Sequence, residues 1–232
     1  MNDKKTAKIQ WFDEINSTND YAKERRADGE NLIVIAKRQT GGRGTKGRSF
    51  SSREGGVYLT ALTFYDALPA KRAFTIMQQA ATAVCKTLVF FGLTPKIKWP
   101  NDIFVADKKI CGILIENTFS GAFVQNSVVG IGINIYNELP DELKDIATSI
   151  YQQTGKKIPV EKVAEKLVEN LSKDSAREYL SFIGYMDKPA RICIGETWLD
   201  GILRSVDEDG NLWVELDGEI RPFSSAEITV RI

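Results

Sequence analysis

Residues 41–48, Gly-Gly-Arg-Gly-Thr-Lys-Gly-Arg, put four glycines and three cations into eight positions. Such a loop is costly to order by itself. Once ordered, it surrounds an anion with charged donors and backbone N–H groups. That combination suits a ligand that arrives, is covered and reacts out of water. The loop fits two phosphate patterns at once: Gly42-x-Gly44-x-x-Gly47 for dinucleotides, and Gly42-x4-Gly47-Arg48-Ser49 for a P-loop with arginine in place of lysine. Both patterns work only when a helix starts directly behind the glycines and turns its free N–H groups toward phosphate. Serines, glycines and a strand-like run follow here, so neither pattern holds.

Other residues are placed to do chemistry. Lys-Trp-Pro-Asn-Asp, 98–102, puts a lysine, an aromatic and two polar residues at the end of a strand. It reads either as a plain Pro100-Asn101-Asp102 turn, or as a site in which Asp102 holds magnesium or a substrate ammonium and Trp99 walls a pocket. Lys109 precedes Gly112 by three residues, and Gly112, Gly130 and Gly132 interrupt otherwise apolar strands. Glycines in such positions mark close approach by a ligand or by another backbone. Asn134, in an apolar strand, needs hydrogen-bond partners if buried, an adenine edge being one. Of Ser17 and Thr18, one caps a helix and the other hydroxyl is left over. The chain has no histidine, which removes Ser-His-Asp hydrolysis and most catalytic zinc sites.

The elements that must position these residues follow from periodicity. A short helix is expected over 17–29, a buried strand over 31–37 and a strand over 55–65. The clearest amphipathic helix is 70–91, ended by Gly92. Strands follow at 95–99, at 102–116 folding at Asp107-Lys108, and at 122–136; helices are expected near 139–147 and from Pro159 to about Ile183. Strands and helices without regular alternation predict an α+β fold: an α/β-type mixed sheet flanked by helices. After about residue 187 the pattern changes to short strands with turns at Asp209-Gly210 and Asp217-Gly218, and Trp198, Leu203, Leu212, Val214 and Phe223 as core. Residues 1–187 are therefore expected to form one domain, and 188–232 a small all-β barrel packed on it.

Over 232 residues, 31 basic and 31 acidic side chains cancel, so no global field draws the chain to nucleic acid or membrane. Locally, Lys37, Arg38, Arg43, Lys46, Arg48 and Arg53 face only Glu54 between residues 31 and 60, while 196–219 is acidic. Cys85, Cys111 and Cys193 lack the spacing of a disulfide framework or zinc site, which makes a reducing cytoplasm the simplest compartment. The start has no signal-peptide core, and no apolar run is long enough to span a bilayer.

Taken together, Ser17–Asp20, the run 39–50, Lys98–Asp102, the run 108–116 and Gly-Ile-Gly-Ile-Asn-Ile at 130–135 resemble the biotin protein ligases, in order and spacing. Residues 195–232 are similar to that family's C-terminal SH3-like domain. The resemblance implies a catalytic domain related to class II aminoacyl-tRNA synthetases. It also implies two half-reactions: biotin and MgATP give biotinyl-5′-AMP and pyrophosphate, then a lysine of a biotin carboxyl carrier domain takes the biotinyl group. By position Ser17, Thr18 and Gln39 would bind the ureido ring, with Asn19, Gly42, Gly44, Thr45 and Gly112 also against biotin. Arg43 and the loop through Lys46 would cover carboxylate and phosphate, and Lys109 would stand beside the reacting carboxylate. Arg48, Phe50, Asn101, Gly132 and Asn134 would face ATP or the adenylate. Arg43, Lys109 and Asp102 are the catalytic candidates, Asp102 also being the candidate magnesium ligand.

The first step needs positive charge far more than a base, because a carboxylate must approach a polyanion. A histidine-free chain can supply that. Two departures stand out: Thr45 replaces the family's usual arginine, which puts tight retention of the adenylate in question, and Phe50 replaces a tryptophan. The chain begins at the catalytic region without the winged helix of bifunctional members, so no operator binding is expected; many relatives dimerise through a sheet edge. Two other readings fit the chain less well. A lipoate- or octanoate-type acyl ligase on the same fold usually carries a histidine signature and lacks Lys-Trp-Pro-Asn-Asp. An RNA-binding module is disfavoured by the acidic tail and by the lack of aromatics interleaved with the basic loop.

Overall fold

A computed structural model describes residues 7–231. Seven strands form the larger sheet: β1 (Lys8–Ile15), β2 (Leu32–Gln39), β3 (Gly56–Pro69), β4 (Lys96–Lys98), β5 (Asp102–Val105), β6 (Lys108–Ser120) and β7 (Phe123–Asn134). Their order is β1-β2-β3-β7-β6-β5-β4, with β1 and β2 parallel and every other pair antiparallel. The helices are α1 (Thr18–Glu24), α2 (Phe74–Phe90), α3 (Ile150–Thr154), α4 (Val160–Leu171) and α5 (Tyr179–Phe182).

Alternation along β2 explains the layers. Ile33 and Ile35 point into the large core with Val84, Leu88, Val163 and Leu167 of α2 and α4, whereas Leu32 and Val34 point the other way, onto Ala22 of α1. The sheet is thus covered on both faces, which is why β2 reads as five consecutive buried residues. Helix α2 stops where Gly92 adopts φ +85°, a left-handed turn that costs other residues energy.

The second sheet starts at Pro189. Its strands are β8 (Pro189–Ile194), β9 (Thr197–Val206), β10 (Leu212–Leu216), β11 (Glu219–Phe223) and β12 (Ile228–Arg231), in the antiparallel order β11-β10-β9-β8-β12. Leu203, Leu212 and Val214 are fully buried and belong to the same apolar cluster as the larger sheet. Trp198 and Phe223, expected in the core, are only half-buried. Trp198 instead stacks beneath the guanidinium groups of Arg231 and Arg191, 4.3 and 5.6 Å from its ring centre. The two sheets are clamped at the Gly210 turn. There Trp99 donates its indole N–H to the Gly210 carbonyl at 3.0 Å, and Gly210 lies flat on the Phe74 ring, where a Cβ would come closer than 3 Å.

The structure corrects four expectations. Strand β1, an exposed edge strand, carries too weak a burial pattern to be read from periodicity. The helix expected near 139–147 is only a single 3₁₀ turn at Asp141–Leu143. The segment behind that turn bonds to β6 instead, with Lys109 N–H donating to Ile146 O at 2.9 Å and Thr148 N–H to Lys109 O at 2.9 Å. The helix from Pro159 ends at Leu171, because Gln79 of α2 donates to the Leu171 carbonyl at 3.3 Å and accepts the Ser175 N–H at 2.9 Å. Finally, α1 ends at Glu24, and the rest of the expected 17–29 helix is a 3₁₀ turn.

Candidate functional site

The ends of β2, β4 and β5, the middles of β6 and β7, the start of α1 and the basic loop enclose one cleft. Ser17, Thr18, Asn19, Gln39, Arg43, Gly44, Thr45, Phe50, Asn101, Asp102, Lys109, Gly112 and Gly132 all line it. Residues separated by more than a hundred positions are thus brought together.

At the inner end, polar side chains are fixed before any ligand arrives. Ser17 caps α1, its hydroxyl accepting the Asp20 N–H at 3.3 Å. Thr18 donates its N–H and its hydroxyl to Gln39 Oε1 at 2.8 and 2.9 Å, and Gln39 Nε2 donates to Ser52 Oγ at 2.9 Å. Both ends of the Gln39 amide are therefore committed, which sets its orientation. Beneath them the buried Thr60 hydroxyl lies 2.8 Å from Thr18 Oγ1 and 2.7 Å from Asn19 Oδ1. Asn19 donates on to Glu116 at 3.2 Å, and Lys23 pairs with the other carboxylate oxygen. Burial would raise the Glu116 carboxyl, but the hydrogen bonds from Lys23 and Asn19, with the charges of Lys23 and Arg43, hold it below the usual range.

The glycines supply the floor. A Cβ on Gly130 would lie within 3 Å of the Asn19 amide, and one on Gly132 would come 2.5 Å from the Phe50 ring. A Cβ on Gly112 would meet the same ring at 3.1 Å and Lys109 Nζ at 3.3 Å. Phe50 thus rests across Gly112 and Gly132, in edge contact with Tyr58 at 6.4 Å between ring centres.

At the outer end are the charges. Lys109 Nζ is 2.6 Å from Asp102 Oδ1, and the backbone of Lys109 is gripped on its free side by Ile146 and Thr148. Arg43 is 2.8 Å from Asp20, which ties the basic loop to the first turn of α1. Arg48 donates to Thr45 Oγ1 at 3.2 Å and to Thr45 O at 3.3 Å, so it closes the loop on itself. Asn101 locks onto β6, giving its Nδ2 to Ile113 O at 2.8 Å and taking the Ile113 N–H at 3.1 Å. Among the described residues no group of three or more acidic, cysteine or histidine side chains could cage a metal ion, and Asp102 is the one carboxylate lining the cleft.

Three expected site residues, Gly42, Arg48 and Asn134, sit outside the lining. Gly42 is pressed against Ser52 and the Phe50 carbonyl, with no room for a Cβ, so it shapes the loop from behind. Buried Asn134 donates to Thr148 O at 3.0 Å and accepts from Asn137 at 3.0 Å, tying down the segment that grips Lys109. The Lys46 side chain lies outside the described atoms. Sequence reasoning missed Thr60, Glu116, Asp20, Lys23 and Tyr58. Thr60 and Glu116 had a signal, being polar residues in otherwise apolar strands; the other three had none.

Comparison with known proteins places this geometry. Residues 11–134 match the model of the Biotin/lipoate A/B protein ligase family. The bifunctional ligase/repressor BirA of Bacillus subtilis is 32% identical over 94% of this chain and 72% of its own length. The biotin–[acetyl-CoA-carboxylase] ligase of Mycobacterium tuberculosis is 24% identical over 87% of this chain and 80% of its own. Among solved structures, the biotin protein ligase of Aquifex aeolicus in complex with biotin and ATP superposes with a TM-score of 0.79 at 27% identity, covering 97% of this chain and 99% of that one. With a mixed sheet, a glycine-floored cleft and a match over most of the chain, this protein belongs to the biotin/lipoate A/B protein ligase family, in its biotin protein ligase branch.

Proposed function

We propose that this chain joins biotin to ATP, forming biotinyl-5′-AMP and pyrophosphate, and then passes the biotinyl group to one lysine of a biotin carboxyl carrier domain. The observation that carries this reading is the polarity of the cleft. It has a fixed set of uncharged donors and acceptors at its inner end and Arg43, Lys109 and Asp102 at its outer end. Biotin has the same polarity, with a ureido ring at one end and a carboxylate at the other. Ser17, Thr18 and Gln39 match the ring, while Asn19 and Glu116 hold that set in place.

In the first half-reaction a biotin carboxylate oxygen attacks the α-phosphorus of ATP, and the bond to the β-phosphate breaks with its electron pair leaving on pyrophosphate. Arg43 and Lys109 offset the repulsion between carboxylate and polyanion, a task for preorganised charge rather than for a base. Phe50, Gly112 and Gly132 give the adenylate a flat apolar wall. In the second half-reaction the acceptor amine must be neutral to attack the mixed anhydride, and Asp102 is the carboxylate at hand to orient it or take its proton. Magnesium fits a site with one carboxylate, because it is commonly held by one or two carboxylates and by substrate phosphates. Asp102 would be its protein ligand, and the ion would neutralise phosphate charge. The chain would thus fold as a class II synthetase-like domain with an SH3-like appendage, and act in the cytoplasm, where its three cysteines stay reduced.

The direct test is incubation with biotin, MgATP and an isolated carrier domain, followed by mass measurement of the acceptor. A single biotinyl addition is expected. Pyrophosphate release with lipoate or octanoate but not with biotin would overturn the reading.

A further inference from the structure

The basic loop is a small hairpin closed on itself. Gly44 N–H donates to Arg48 O at 2.7 Å, Phe50 N–H donates to Gly42 O at 3.0 Å, and Arg43 pairs with Ser49 in an antiparallel bridge. Its first cation, Arg43, lines the cleft, and among the described residues Asp20 is the one carboxylate that Arg43 holds, Nη2 to Oδ2 at 2.8 Å. Asp20 stands on the first turn of α1, just outside the cleft lining, with its side chain 26% exposed. Its backbone N–H is committed to Ser17 Oγ, which fixes where the carboxylate starts from.

Asp20 also belongs to a row of contacts that reaches the inner end of the cleft. Its other oxygen, Oδ1, is 3.7 Å from Lys23 Nζ, Lys23 pairs with Glu116, and Glu116 accepts from Asn19. Asn19 in turn meets the Thr60 hydroxyl, which also contacts Thr18. Charges alternate along the row, Arg43, Asp20, Lys23, Glu116, so the Asp20 carboxylate is braced from behind by a helix and a strand. Arg43 is the member of the row that sits on a glycine-rich loop. Glycines have the most conformational freedom to lose when a loop is ordered. Unless the protein itself holds that loop, the arriving ligand must bear the loss.

We infer that Asp20 is a positioning residue for biotin binding: it holds Arg43, and with it the basic hairpin, at the outer end of the cleft before the substrate arrives. The inference rests on the proposed activation of biotin and extends it to a residue outside the cleft lining. A competing role, in which Asp20 keeps Arg43 away from the substrate carboxylate, has the geometry against it. A guanidinium carries five N–H donors in a fixed fork. Asp20 engages Arg43 through Nη2, which leaves the other nitrogens to meet a second carboxylate.

The test is calorimetric binding of biotin, and of the alcohol analogue in which a hydroxymethyl group replaces the carboxylate, to the full chain. Failure of the unaltered chain to bind biotin would sink the proposed function itself and this inference with it. Given binding, Asp20→Asn, which keeps the shape and removes the charge, should raise the Kd for biotin about three- to tenfold and leave that for the alcohol within about twofold. Asp20→Glu should restore most of the biotin affinity. An unchanged Kd for biotin, tighter binding of biotin, or an equal loss for both ligands would overturn the assignment. Amide exchange without ligand gives a second reading. Residues 43–50 should exchange about three- to tenfold faster in Asp20→Asn than in the unaltered chain, while the buried stretch 80–88 of α2 keeps its rate. Equal exchange of the hairpin in the two proteins, or the same acceleration in α2, would also overturn it.

Discussion

Replacing Lys109 by methionine separates charge from shape at the outer end of the cleft. A cation about 4 Å from an attacking carboxylate or a phosphate oxygen contributes roughly 4 kcal/mol at an effective dielectric of about 20. The Lys109 side chain is 34% exposed, and Asp102, 2.6 Å away, already neutralises part of its field. Screening of that kind cuts the contribution to about 2–3 kcal/mol, a roughly 30- to 150-fold loss in the adenylation rate. Asp102→Asn keeps Lys109 but removes the carboxylate that would hold magnesium and orient the acceptor amine, so adenylation should slow by about tenfold and transfer to the acceptor by more. Single-turnover formation of biotinyl-AMP, followed by a chase with carrier domain, reads the two steps separately. Adenylation in Lys109→Met above a third of the original rate would refute the electrostatic account; equal losses in both steps for both variants would show that the pair only holds the fold.

Further outcomes follow from other contacts. Gly130→Ala drives a methyl into the Asn19 amide and disturbs its bonds to Thr60 and Glu116; it should cost about 1–3 kcal/mol, lower the Tm by about 2–4 °C per kcal/mol and raise the KM for biotin, measured by calorimetry and initial rates. Glu116 is held below its unfolded value, so it contributes stability that is complete above the unfolded carboxyl range, near about pH 4.3, and is lost as pH falls through the folded value. Urea midpoints of Glu116→Gln should accordingly fall less steeply on acidification than those of the unaltered chain, and parallel curves would contradict this. Trp99→Phe leaves the Gly210 carbonyl without its donor; a loss of about 1–3 kcal/mol and faster amide exchange around 207–214 are expected. Thr45→Arg adds a cation at the cleft and removes the hydroxyl that Arg48 grips, and should lengthen the lifetime of bound biotinyl-AMP in rapid filtration.

What could be read beforehand divides along a physical line. The buried run at 32–36, the Gly92 stop and the Asp209-Gly210 turn depend on local chemistry, and local chemistry predicts them. The glycines at 112, 130 and 132 were legible as places of close approach, though not what approaches: a lysine, an asparagine and a phenylalanine of the chain itself. Elements decided by distant partners escaped. Gln79 interrupts a helix 92 residues away at Leu171, and Lys109 diverts the segment after Leu143 from helix to bridge. Asn134 illustrates the same limit. Its need for partners was plain in the sequence, yet Thr148 and Asn137, which meet it, lie in a loop whose path only the fold determines.

Beside Asn101 and Asp102 lies a cavity whose far wall is Ile228 and Val230 of β12, and that wall sets an order in time. The larger sheet and the helices α1, α2 and α4 that cover it are complete at Leu171, so they can form while the carboxyl-terminal residues are still being made, since domains generally fold as units during synthesis. Ile228 and Val230 come more than fifty residues later. A nascent chain would therefore hold the polar inner end of its cleft well before the cavity beside Asp102 is closed. On the ribosome it would be a biotin-binding protein first and a ligase only once β12 has emerged and docked.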